Sequence, residues 1–189
     1  MSANSSRREM LKLSVGLGTG FAAGLGVAQH SWFPHSIAQE TAAVSYQKKA
    51  ESLGITFEKQ VPGYLNKCVR SGNLLITSGH TSKMKGKLGA DLQAEQGAEA
   101  ARDCAVQILQ SVWNTHGTLD GLRVLKVLGC VNCTPDFIDQ PKVINGCSDL
   151  LHQVFGKETD GYHARSAVGF ASLPGGVAVE IEAIFEIKS

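Results

Sequence analysis

Aromatic side chains are scarce in this sequence, at 6% of 189 residues. That is too few for the stacking platforms that hold single-stranded nucleic acid. A surplus of either charge is missing too: 18 Lys and Arg stand against 17 Asp and Glu, for a formal net charge of +1. With no Lys/Arg-rich tract, binding nucleic acid through its phosphates is not expected. Five cysteines, Cys68, Cys104, Cys130, Cys133 and Cys147, are odd in number and lie in core-like segments. They do not read as a disulfide framework. Cys130 and Cys133 have redox or zinc spacing, yet they close an apolar strand-like run, where an odd separation points two sulfurs to opposite faces. Buried free thiols are the reading. No G-x-S-x-G elbow, phosphate loop, dinucleotide fingerprint or H-E-x-x-H occurs, and no two of the six histidines pair at ligand spacing. Neither metal nor organic cofactor is expected. What remains, with 43% hydrophobic residues and 21 glycines of no period, is a globular chain long enough for a real core.

The first 38 residues read differently from the rest. Arg7-Arg8-Glu9-Met10-Leu11-Lys12 precedes a soft apolar run from Leu13 to Ala28 that five glycines dilute. A charged head, an apolar middle and small residues at the end outline a secretory signal. The paired arginines resemble the twin-arginine export signal, which a receptor reads. Cleavage is expected before Gln39, after Ser36-Ile37-Ala38, with Gly26-Val27-Ala28 as a second candidate. The run is too short and too glycine-rich to span a bilayer, so no stable membrane anchor is expected and the protein is placed outside the cytoplasm, in the periplasm. Residues 39–62 read as a linker with one short helix over Tyr46–Leu53, and 63–189 as the domain.

In the domain, two strands, Leu65–Arg70 and Leu74–Ser78, flank a Ser71-Gly72 turn. Gly79–Asp91 is a polar loop. Ala98, Ala101, Ala105, Ile108, Leu109 and Val112 recur at helical spacing within Gln93–His116, and Val143, Cys147, Leu150, Leu151 and Val154 do so within Val143–Phe155. Leu122–Val131 is apolar on both faces, as a central strand would be. His163–Ser172 and Val177–Ile187 are the last strands; in the latter every odd residue is apolar and Glu180, Glu182 and Glu186 share the other face. The fold class is α+β: a ββαβαββ sheet with two helices on one face. A half-covered sheet finds a partner subunit, so oligomerisation is expected.

Arg165 draws attention as a strand arginine whose own face carries Ala167, Gly169 and Ala171. That leaves room for a small anion, and its fork matches a carboxylate; the alternative is an ordinary strand arginine paired across the sheet. If Leu173–Gly176 turns an even hairpin, Gly169 faces Glu180, and Arg165 shares a polar face with Glu180 about 13 Å along the strand. The two would line two ends of one cleft. The same arithmetic sets Tyr64 opposite Gly79, beside Ser78.

These residues also carry a family resemblance. Gly63-Tyr64, the Gly72–Gly79 segment, Asn145, Arg165-Ser166-Ala167-Val168, Leu173-Pro174 and Val179–Ile184 resemble the Rid family, also called YjgF or L-PSP endoribonucleases, over about residues 60–188. The resemblance implies a chorismate-mutase-like fold, a homotrimer with ligand clefts between subunits, and hydrolysis of 2-imino or 2-enamino acids to 2-keto acids and ammonia. It assigns Arg165 to the substrate carboxylate and Glu180 to the attacking water. Tyr64, Ser78, Gly79 and Asn145 match other cleft positions. Many active members carry Cys where Ala167 stands and Pro where His163 stands, and the Gly79–Asp91 loop and the His163–Gly169 run resemble a divergent branch of the family. A small carboxylate-bearing metabolite is therefore the expected partner. A binding protein using the same cleft is the rival reading, and an endoribonuclease the weakest.

Overall fold

The computed structural model describes residues 45–188; the expected export signal and its cleavage points lie outside the described residues. The first helix, α1 (Tyr46–Ser52), opens on Ser45, whose hydroxyl accepts from the Lys48 N–H, and buries Ala50. Its Tyr46 ring meets Phe155 edge-on at 5.1 Å. Beyond α1 the chain is strapped down rather than loose. Glu58 N–H donates to Gln110 Oε1 and Gln110 Nε2 returns a bond to the Glu58 carbonyl. Gln60 N–H donates to Asn114 Oδ1, and Phe57 lies against Trp113.

Two longer helices follow, α2 (Ala94–His116) and α3 (Gln140–Phe155), as the apolar spacing predicts. Each turns its apolar stripe to the sheet, burying Ala101, Ala105, Ile108, Leu109 and Val112 on α2 and Val143, Ile144, Cys147, Leu150, Leu151 and Val154 on α3. They come close together at Gly146, where an added Cβ would lie 1.9 Å from the Ala98 carbonyl oxygen. Only glycine permits that approach.

The strands are β1 (Cys68–Ser71), β2 (Leu74–Thr77), β3 (His80–Thr81), β4 (Leu122–Asn132), β5 (Ala164–Phe170) and β6 (Val179–Ile187). They form one sheet in the order β1-β2-β6-β4-β5, with β3 also paired to β6. Helices cover one face, the expected α+β layering. On the covered face Val179, Ile181, Ala183 and Phe185 of β6 are buried, so the alternation in the last strand is real.

Three expectations are corrected. The first turn is Gly72-Asn73, because Ser71 faces Leu74, and Gly72 adopts a φ of 61° that a side chain resists. Ser78 N–H then bonds to the Lys67 carbonyl, so Tyr64 does not stand opposite Gly79. Leu173–Gly176 does not turn a hairpin either. β5 runs parallel to β4 at the sheet edge, while β6 pairs antiparallel with the other side of β4. β4 can take a partner along each edge, and the α3 crossover delivers β5 parallel to it, as such crossovers do. Finally, the polar Gly79–Asp91 loop contains β3 and buries Leu88, and Lys85 bridges to Val177.

Candidate functional site

Arg165 lies opposite Val127, a fully buried residue, so its side chain leaves β5 on the helix-covered face. There it meets α3. Its Nη1 donates to Asn145 Oδ1 at 2.8 Å and to Ser148 Oγ at 3.1 Å. Asn145 and Ser148 stand three apart on the helix, one turn of the same face. Those two bonds use both hydrogens of Nη1. The Nε–Nη2 edge has no protein partner among the described residues, and it is the edge that grips a carboxylate side-on.

Ser148 is in turn bonded to His163 Nε2 at 3.1 Å, and His163 Nδ1 lies 2.6 Å from the Gly161 carbonyl. A carbonyl only accepts, so Nδ1 carries the proton and Nε2 receives the serine hydroxyl. Burial holds the His163 ring below the usual histidine range, with His152 and Arg165 pushing the same way. The His152 ring lies 5.3 Å away. Cys147, wholly buried behind them, has its thiol pushed up to about 12 by burial.

Glu180 belongs to a second group. It faces Cys130 across β4 and Thr81 across β3, on the sheet face the helices leave bare. Its carboxylate rests over Gly79: a Cβ there would fall 2.0 Å from Glu180 Oε1. No described residue hydrogen-bonds or ion-pairs that carboxylate. The segment around Gly79 is firmly held, since Ser78 Oγ donates to the Asn66 carbonyl. His80 Nδ1 donates to the Ser78 carbonyl at 2.8 Å, while its Nε2 accepts from Ser111. Tyr64, two residues before Asn66, is wholly exposed.

The expected residues thus form two clusters, Arg165 with Asn145, and Glu180 with Gly79 and Ser78. The shared polar face expected for Arg165 and Glu180 is not found. β4 separates their strands and they project from opposite faces, about 14 Å apart in the sheet plane. One chain cannot bring them together. Asn145, expected as a cleft residue, hydrogen-bonds Arg165 directly. Ser148 and His163 escaped the sequence reading of the site, although spacing marks them: Ser148 is three residues after Asn145, and His163 two before Arg165. Ala164, Val168 and Phe170 stand exposed on the bare face, with Val168 at 38% and Phe170 at 43%.

The five thiols are free, four of them buried. Cys130 sits beside Glu180, its thiol pushed up by burial and by Glu180 and Glu182. Cys133 lies under Gly169 and Gln140, so the two are apart. Among the described residues no three His, Cys, Asp or Glu gather as a metal site would need. No helix there is long and apolar enough to cross a membrane.

Residues 58–187 match the family model for endoribonuclease L-PSP. The chain belongs to that family. Protein TCP17 of Trypanosoma cruzi is 44% identical over 128 residues, covering 64% of this chain and 79% of that protein. A solved protein of unknown function from Agrobacterium tumefaciens is 37% identical, with a TM-score of 0.69, covering 77% of this chain and 94% of its own. A structure from Shewanella oneidensis has the same TM-score at 23% identity, covers 76% of this chain and 99% of its own, and shares the fold alone. The L-PSP match therefore bears out the family expected from the Gly72–Gly79, Arg165–Val168 and Val179–Ile184 segments.

Proposed function

We propose that this L-PSP protein hydrolyses 2-imino or 2-enamino acids to 2-keto acids and ammonia, in sites completed between copies of the chain. The observation that carries the reading is the Arg165 fork, pinned by Asn145 and Ser148 with its Nε–Nη2 edge open. Such an edge holds the substrate carboxylate and orients the adjacent C=N carbon. Glu180, half-buried and unpaired, takes a proton from water as the oxygen attacks that carbon. The C=N electron pair moves to nitrogen, which takes the proton from Glu180, and the new hydroxyl's proton then passes by way of Glu180 to the same nitrogen. The carbonyl then forms as ammonia departs.

Because the two groups leave opposite faces of one sheet, a second copy must present its Glu180, Gly79 and Ser78 to the first copy's Arg165. The bare face supplies a surface for association, and the family resemblance supplies the number three. The near-neutral charge and scarce aromatics speak against RNA as substrate, whatever the family's name. A carboxylate-binding protein without turnover would use the Arg165 group alone; Glu180→Gln separates the two, since a binder keeps its affinity. Arg7-Arg8 is proposed to direct twin-arginine export, and a variant with both changed to Lys should stay in the cytoplasm.

The test uses imine generated in place by an amino-acid oxidase. Arg165→Ala and Glu180→Gln should each lose turnover. Co-expressed, they should regain roughly a quarter of wild-type activity, the statistical share of sites with both intact groups. Complete inactivity of the mixture would rule out the shared site.

A further inference from the structure

We propose that Ser148 and His163 are positioning residues that lock the Arg165 guanidinium in one rotation, so that it offers only its Nε–Nη2 edge to an anion. The proposal rests on the reading of Arg165 as a carboxylate site, but its physical core is independent of any ligand.

The line of bonds has one direction. Arg165 Nη1 donates to Ser148 Oγ, the serine hydroxyl donates to His163 Nε2, and His163 Nδ1 donates to the Gly161 carbonyl. Each donor finds one acceptor, and the last acceptor belongs to the backbone of the turn before β5. Ser148 is 5% exposed, which leaves its hydroxyl no bulk water to turn to. A guanidinium turning about Nε–Cζ must therefore give up both Ser148 and Asn145 part-way round, before Nη2 can take the place of Nη1. Held in place, it loses little rotational freedom when an anion docks.

The role of His163 is to be an acceptor rather than a charge. Were Nε2 protonated, the serine oxygen would meet two donors and its own hydroxyl would lose its partner. The ionisable groups acting on the His163 ring are His152 from α3 and Arg165 from β5; Asp149 and Lys157 act on His152, and Lys126 lies on the opposite sheet face, bonded to Ser166. No carboxylate is hydrogen-bonded to His163, so burial keeps it neutral.

Two measurements on the full chain test this. The first is ¹⁵N NMR of the Arg165 side chain without ligand. Slow rotation about Nε–Cζ, with separate Nη signals, is expected in the wild type, and averaged signals in Ser148→Ala and His163→Leu. Unchanged signals in both variants would overturn the proposal. The second is calorimetry with pyruvate. Ser148→Ala and His163→Leu should bind about tenfold more weakly. His163→Gln keeps an uncharged acceptor near Nε2 and should recover affinity to within about threefold. Wild-type affinity in His163→Leu would overturn it. If the wild type itself fails to bind pyruvate, the carboxylate reading falls, and the NMR measurement still decides the positioning.

Discussion

Two histidine–serine pairs stand behind the two groups of site residues. His80, bonded to Ser111, fixes the carbonyl of Ser78; His163, bonded to Ser148, backs Arg165. Both rings donate from Nδ1 to a carbonyl and are held below the usual histidine range, chiefly by burial. A histidine whose folded value is lowered binds fewer protons folded than unfolded once the pH drops below about 6.5. Stability is then complete above that pH and declines as pH falls toward the folded value. The urea midpoint should drop between about pH 7.5 and 5.5, and less so in His80→Gln. An equal drop in that variant would remove His80, only 4% exposed, from the explanation. The other prediction at this scale concerns Gly79. A methyl there collides with the Glu180 carboxylate, so Gly79→Ala should cut turnover while sparing pyruvate binding. Glu180→Asp, one methylene shorter, should be harmful while Gly79 is intact and add little once Gly79→Ala is already in place. A double-mutant cycle measures that coupling, and simple additivity would refute it.

Among the elements, α2 and α3 act as one packed pair over the sheet, and their approach at Gly146 decides how far they tolerate change. The missing Cβ at Gly146 lets α3 lie against the Ala98 carbonyl, and the neighbouring Asn145 and Ser148 inherit their position from that approach. Gly146→Ala must push the helices apart or shift α3. It should cost about 2 kcal/mol or more, read from chemical denaturation. It should also weaken pyruvate binding, because α3 carries two of the groups that hold Arg165. Stability within about 0.5 kcal/mol of wild type would show that the helices yield easily. Helices of this kind were plain from spacing alone. The edge strand β5 was legible as a strand but not as a neighbour of β4, because periodicity reports which face is apolar and says nothing of which edge is paired.

At the scale of the molecule, the sheet carries helices on one face and Val69, Ile76, Val168 and Phe170 exposed on the other. If that bare face is the proposed interface, the wild type is an oligomer in light scattering and Val168→Glu should leave far-ultraviolet circular dichroism unchanged while reducing it to a monomer. On the proposed reading, in which each half of the site needs another copy, deaminase turnover should vanish with it. An unchanged oligomer would place the interface elsewhere. The residues alone determined the family, the two helices and the alternating last strand, and pointed to Arg165 and Glu180 as candidates, because local periodicity and short motifs carry those. Tertiary structure decided how they are arranged. The α3 crossover sent β5 to the far side of β4, and that topology put the arginine and the glutamate on opposite faces. A hairpin assumed from adjacency in sequence could not have revealed it: strand order depends on which edges remain open once the helices have packed, a long-range outcome that no local pattern encodes.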